Sequence, residues 1–224
     1  LNQISSLDFD EINRLYEQTK AEVSTGNDKI EPMPFVAADG LTDENREHYI
    51  KVGEEIIKKG KYAVVMVAGG QGTRLGHNGP KGTFDIGLAS HKSLFEIFCD
   101  KLKLAKQKYD VTIPWYIMTS RENNDATTKF FEDNDYFGYR DGISIFFKQG
   151  EFPMIAPDGK LIIGDNGLIK EAADGHGGIF EAMVRNSVLA DMQKKGIEWI
   201  FTCAVDNPLA KLVDPLLLGY ASES

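Results

Sequence analysis

Residues 62–82 read Tyr62-Ala-Val-Val-Met-Val-Ala-Gly-Gly-Gln-Gly-Thr-Arg-Leu-Gly-His-Asn-Gly-Pro-Lys-Gly82, an apolar run that passes directly into a glycine-rich loop with one arginine and one lysine. The apolar half has the length and β-branched content of a buried strand. In the second half, glycine tolerates positive φ and lets backbone N–H groups come close to an anion, so successive amides form a concave nest of partial positive charge. Arg74 and Lys81 add full charges to that nest. A strand that delivers such a loop predicts phosphate binding at the carboxyl edge of an α/β sheet.

The spacing excludes two familiar phosphate loops. G-x-x-x-x-G-K-[ST] is absent from the loop, and G-x-G-x-x-G fails because Gly70 and Gly72 are followed by Gly76, one residue late. Pro80 has no N–H and biases Gly79 away from the α region, so the loop cannot run straight into a helix there.

Working outward, an amphipathic helix is expected over residues 8–23 and a linker over Gly26 to Gly40, with Pro32 and Pro34. A second helix is expected from Asp43 to Lys59, ahead of the strand at Tyr62. Ser93-Leu-Phe-Glu96 is a capping-box pattern and opens the next helix. Strands are expected at Ile113–Met118, Ile143–Phe147 and Trp199–Val205, helices at Glu122–Asp133 and Ile179–Lys195, and a hairpin turn at Pro157–Lys160. Strands alternating with helices predict a Rossmann-like, mostly parallel sheet with helices on both faces, preceded by an N-terminal helical extension. The expected division is an arm and linker at 1–40 and a nucleotide-binding domain at 41–224, truncated on its C-terminal side.

Ligands of such sheets sit outside the carboxyl ends of the strands. The glycine loop, Thr119-Ser120, Gln149-Gly150 and Asp206 all follow expected strands and so are predicted to line one crevice. Either Arg74 or Lys81 alone would read as an ordinary surface charge. Together in this loop they give a guanidinium fork and a mobile point charge, a pairing suited to phosphates. Gln149 offers a donor and an acceptor on one amide, and Asp206 a hard oxygen at a strand end.

Gly69-Gly-Gln-Gly-Thr-Arg-Leu-Gly76 followed by Pro80-Lys-Gly82 resembles the signature loop of the UTP-dependent sugar-1-phosphate uridylyltransferases, and within them the UDP-N-acetylglucosamine pyrophosphorylase branch. Pro114-Trp-Tyr-Ile-Met-Thr-Ser120, Phe146-Phe-Lys-Gln-Gly150, Ala173-Asp-Gly-His-Gly-Gly178, and Val205-Asp-Asn207 with Asp214-Pro215 resemble the same family in the same order, from about Leu41 to about Tyr220. The fold this implies is the GT-A-like nucleotidyltransferase fold.

The resemblance also implies roles. Arg74 would meet the departing pyrophosphate and Lys81 the attacked phosphate, as the catalytic pair. Gly69, Gly70, Gly72 and Thr73 would bind UTP, while Gln149 reads the uracil with backbone from Gly70 and Gly175. His176 and Asn207 would face sugar and nucleotide, Asp206 would hold Mg²⁺, and Asp85 would be structural. The implied activity joins UTP to N-acetylglucosamine-1-phosphate with release of pyrophosphate. His176 stands where that branch usually carries asparagine and resembles the UDP-glucose and broad-specificity UDP-sugar enzymes, which form one alternative. A non-catalytic uridine-nucleotide-binding module is the other.

Composition fits these expectations. A formal net charge of −9 with scattered Lys and Arg lacks the basic footprint of a nucleic-acid binder. Two cysteines, Cys99 and Cys203, lie in apolar contexts, and no apolar run approaches the ~18 residues of a membrane span. The expected setting is cytoplasmic and reduced, with UTP and a sugar-1-phosphate as partners. Oligomeric state has no signature here.

Overall fold

The computed structural model describes residues 2–5, 7–21 and 31–224. Along the chain run α1 (Asn2–Ser5), α2 (Phe9–Lys20), α3 (Asp43–Lys58), β1 (Tyr62–Val67), α4 (Leu94–Tyr109), β2 (Trp115–Thr119) and α5 (Asn124–Asp133). They are followed by β3 (Ile143–Lys148), β4 (Glu151–Pro153), β5 (Glu171–Ala173), α6 (Ile179–Arg185), α7 (Val188–Lys194), β6 (Trp199–Ala204) and α8 (Pro215–Ser222). Two compact units result. One holds the described residues up to Gly40 together with Glu151–Ala173, and the other holds Leu41–Gly150 with Asp174–Ser224.

In the first unit, Asp8 caps α2 by accepting from Glu11 N at 2.9 Å. Ile12 is buried, and Tyr16 Oη donates to Pro157 O at 2.7 Å. Gln3 grips Ile169 at both ends of its amide, donating to the carbonyl at 2.8 Å and accepting from the N–H at 2.9 Å. β4 and β5 pair antiparallel. The expected turn at Pro157–Lys160 is present, closed by Ala156 N on Lys160 O, with Gly159 at φ +86°. The helix expected over 8–23 is found over Phe9–Lys20, while residues 22–30, including the start of the expected linker, lie outside the described residues.

The second unit is built on a four-stranded sheet of order β3-β2-β1-β6, parallel throughout. Alternation along β1 assigns its two faces. Tyr62, Val64 and Met66 pack with Phe95, Phe98 and Leu102 of α4, whereas Ala63 and Val65 pack with Ile179, Met183 and Met192 of α6 and α7. β2 repeats the pattern, Trp115 and Ile117 on the first face and Tyr116 and Met118 on the second. The core expected from the apolar run is therefore two-sided, with helices on both faces. Each fully buried large side chain contributes on the order of 1.5–3 kcal/mol.

Ser93 caps α4 as the capping box predicts, accepting from Glu96 N at 3.2 Å. α3 ends at Lys58 with Gly60 at φ +69°. α3 and α8 touch backbone to backbone. A Cβ on Gly53 would stand 2.0 Å from Pro215 O, and one on Gly219 1.9 Å from Tyr49 O.

One expectation needs correcting. The single helix over Ile179–Lys195 is two helices, broken at Ser187, which sits at φ +58°. Asn186 stabilises the break, its amide donating to Ala182 O at 2.8 Å and Lys148 O at 3.2 Å. A side chain that bonds backbone more readily outside a helix than within one competes with helix continuation. Other expected boundaries move by one or two residues.

Candidate functional site

β1 lies in the middle of the sheet, with β2 on one side and β6 on the other, so the connections after β1 leave toward opposite edges. A crevice at the carboxyl ends follows from such a reversal. The loop after β1 occupies it and braces itself. Gly72 N donates to Gly79 O at 2.9 Å and Lys81 N to Gly70 O at 3.0 Å, while Gln71 and Pro80 form an antiparallel bridge. Gly79 has φ +147°, a value that only glycine adopts without strain. His77 folds across Gly72, where a Cβ would meet its ring at 2.8 Å, and its Nε2 is 2.7 Å from Thr83 Oγ1.

Asn123 anchors this loop to the end of β2. Its side chain is fully buried, and Nδ2 donates to Ala68 O at 3.0 Å and Gly70 O at 3.3 Å. Its Oδ1 accepts from Ser120 N at 2.9 Å, and its own N–H donates to Ser120 Oγ at 3.1 Å. Sequence reasoning passed over this residue. The pattern Ser120-x-x-Asn123 directly after a strand is the signal, a capping box with asparagine in the place of glutamate.

The expected site residues meet as follows. A Cβ on Gly69 would stand 2.7 Å from Gln149 Oε1, so the glutamine amide lies directly against the glycine backbone. Lys81 Nζ is 2.8 Å from Asp206 Oδ2 and rides over Gly70, where its ammonium would be 3.7 Å from an added Cβ. Glycine loop, Gln149, Lys81 and Asp206 are thus brought together from the ends of β1, β3 and β6. Thr73 and Arg74 form an exposed 3₁₀ turn farther out on the loop.

Asp174 N donates to Gly150 O at 3.1 Å, which sets Gly175, at φ +80°, beside the residue after Gln149. The Asp174 carboxylate fills the space over two glycines, 2.1 Å from an added Cβ on Gly150 and 2.3 Å from one on Gly178. Its Oδ1 has no partner among the described residues, and burial holds its pKa above the usual carboxylate range, opposed by nearby Arg185. His176 belongs to the 3₁₀ turn His176–Gly178, but its side chain lies outside the described residues. Asn207 Oδ1 is engaged by Leu209 N at 3.2 Å. Asp85 closes its own loop, accepting from Gly87 N at 2.7 Å.

Among the described residues no group of three or more His, Cys, Asp or Glu forms a metal cage. Asp206 is a lone carboxylate, its side chain 59% exposed. That donor set fits a hard cation carried mainly by water and substrate phosphates, the usual habit of Mg²⁺. The two thiols are free, and burial pushes both Cys99 and Cys203 up to about 12. Thiolate chemistry at neutral pH is thereby suppressed. Among the described residues no helix is long and apolar enough to cross a membrane.

The model of the family described as UTP–glucose-1-phosphate uridylyltransferase matches residues 8–224. UDP-N-acetylglucosamine diphosphorylase 1 of Arabidopsis thaliana is 39% identical over 98% of this chain and 46% of its own length. UDP-N-acetylglucosamine pyrophosphorylase of Saccharomyces cerevisiae is 40% identical over 86% of this chain and 42% of its own. The chain therefore spans about half the length of the curated relatives it matches. Among solved structures, the UDP-N-acetylglucosamine pyrophosphorylase of Trypanosoma brucei superposes with a TM-score of 0.80 at 30% identity, covering 99% of this chain and 47% of that one. A UDP-glucose pyrophosphorylase variant from Leishmania major has a TM-score of 0.71 at 20% identity over 95% of this chain and 43% of its own, a likeness of fold alone.

Proposed function

The chain belongs to the UTP–glucose-1-phosphate uridylyltransferase family, and on that basis we propose that it forms the nucleotide-binding part of an enzyme making UDP-N-acetylglucosamine and pyrophosphate. Two of the cited relatives, at 39% and 40% identity, carry UDP-N-acetylglucosamine in their names, which favours that sugar over glucose. The observation that carries the reading is the meeting of Lys81, Asp206, Gln149 and the braced glycine loop at one crevice.

In the proposed reaction a phosphate oxygen of the sugar-1-phosphate attacks the α-phosphorus of UTP in line. The new P–O bond forms as the bond to the β-phosphate oxygen breaks, and pyrophosphate leaves with the electron pair. Little covalent chemistry is asked of the protein, so positioning and charge neutralisation supply the rate. Gln149 orients the base by pairing both halves of its amide with the uracil edge. The amides of Gly69, Gly70, Gly72 and Thr73 point partial positive charge at the phosphates. Lys81 stabilises charge on the α-phosphoryl oxygens, and Arg74 grips the leaving pyrophosphate with its fork. Gly175, His176 and Asn207 line the sugar and nucleotide side. Mg²⁺ held by Asp206 would supply further neutralisation of phosphate charge when bound. A cytoplasmic setting fits two free thiols in apolar surroundings.

The test is pyrophosphate release from UTP by the protein carrying these residues, with N-acetylglucosamine-1-phosphate and glucose-1-phosphate compared, and UTP binding followed by calorimetry. Preferred release with the acetylated sugar supports the reading. Preference for glucose-1-phosphate replaces it with the UDP-glucose activity, to which His176 would then belong. Binding of UTP without release from any sugar phosphate leaves a nucleotide-binding module in its place.

A further inference from the structure

We propose that Lys101, on α4 and outside the crevice, is a positioning residue for the reaction, holding the turn that aims Asp206 at Lys81. This rests on the proposed function for its catalytic consequence but not for its structural one.

The turn after β6 has few restraints of its own. Asp206 and Asn207 leave the strand, Leu209 N donates to Asn207 Oδ1 at 3.2 Å, and Ala210 N donates to Asn207 O at 3.0 Å. Ala210 packs against the core, but Leu209 at the tip is 87% exposed, so its own side chain anchors nothing there. Lys101 does: its Nζ donates to Pro208 O and, at 2.9 Å, to Ala210 O. One ammonium thus gathers two carbonyls across the turn that begins at the residue after Asp206. Pro208 cannot contribute an N–H, which leaves these carbonyls as the available handles.

The cation is half-buried and stands over the Phe98 ring at 5.5 Å, and burial lowers its pKa. A lysine kept there costs desolvation, so two charge-assisted bonds to backbone must offset it. Farther along, Tyr62 Oη donates to Leu212 O at 2.6 Å and Asp214 caps α8, so the distal end of the segment is fixed independently. At the proximal end Val205 N donates to Val67 O at 3.0 Å and Asn207 N to Ala204 O at 3.2 Å, and Lys101 holds the stretch between these bonds and Leu212.

The experiment compares Lys101→Met and Lys101→Arg with the unaltered protein by two readouts. Amide hydrogen exchange over 207–211 should accelerate at least tenfold in Lys101→Met while β1 and α4 stay protected, and Lys101→Arg should retain most protection. Turnover should fall at least tenfold in Lys101→Met with the UTP KM within about twofold, and recover in Lys101→Arg. Unchanged exchange in Lys101→Met overturns the proposal, and so does accelerated exchange with unaltered turnover. If the unaltered protein releases no pyrophosphate, the proposed function fails by itself. The exchange arm then decides alone whether Lys101 holds the turn.

Discussion

Lys81, at the far end of the loop that follows β1, and Asp206, just beyond the neighbouring parallel strand β6, stand 2.8 Å apart, each supplying the other's counter-charge. With side chains 21% and 59% exposed, the pair contributes at most about 1 kcal/mol to stability. Its value is therefore positional. Lys81→Met should lower turnover on the order of 10²–10³-fold, as loss of one preorganised donor does elsewhere, with the melting temperature nearly unchanged. Asp206→Asn should raise the Mg²⁺ concentration needed for half-maximal rate. A Mg²⁺ titration of pyrophosphate release, run beside thermal melts, checks both. Near-normal turnover in Lys81→Met removes it from the mechanism.

Gly69 separates nucleotide affinity from folding. The first atom an alanine would meet is the end of the Gln149 side chain at 2.7 Å, which can swing away at small cost, with Ser120 N at 3.3 Å behind it. Gly69→Ala should melt within a few degrees of the unaltered protein yet bind UTP about tenfold more weakly, because the amide no longer holds its place. Calorimetric titration with UTP measures this. Unchanged affinity would show that Gln149 does not read the base.

Asn123→Ala should cost more than a surface change. Two buried backbone groups, Ala68 O and Ser120 N, lose a partner at once, while the exposed Gly70 O keeps its bond from Lys81 N. A penalty of about 1–3 kcal/mol is expected. Urea denaturation reads the loss, and a turnover drop larger than that of a destabilised core variant of equal stability locates the effect in the loop.

Asp174 gives a pH signature. Burial raises its folded-state pKa, so the folded protein favours the protonated carboxyl and stability is lost as pH rises through that value. Below about pH 3.9 the group is protonated in both states and the penalty vanishes. Asp174→Asn should therefore raise the melting temperature at pH 7 by about one to two degrees, a gain that shrinks toward pH 4. An equal gain at both pH values means that burial of the charge is not the cause.

Much of this arrangement is legible in the chain. Residues 62–82 carry both an apolar strand and its glycine loop because local composition dictates each, and the Ser93 capping box marks α4 from four letters. The helix break at Asn186 is not legible in the sequence because one of its two acceptors, Lys148 O, belongs to β3, 38 residues away. Lys101 escaped for the same reason, and so did the long-range half of Asn123: Ser120-x-x-Asn123 marks its local bonds, but carbonyls of distant segments carry no residue identity for a sequence to display. The site's charged and amide groups were visible, while the residues that hold its backbone were not.

The register of β1 with β6 carries a kinetic consequence. Tyr62 pairs with Trp199, 137 positions along the chain, whereas the β1–β2 register joins Val64 to Trp115, only 51 apart. Closing the longer loop costs about 1 kcal/mol more in chain entropy, before any contact compensates it. Asp206 cannot reach Lys81 until β6 has docked, so the crevice is complete only after the most distant pairing in the sheet has formed. During refolding, nucleotide binding should return with the slowest phase, and the far-ultraviolet signal of the helices should precede it.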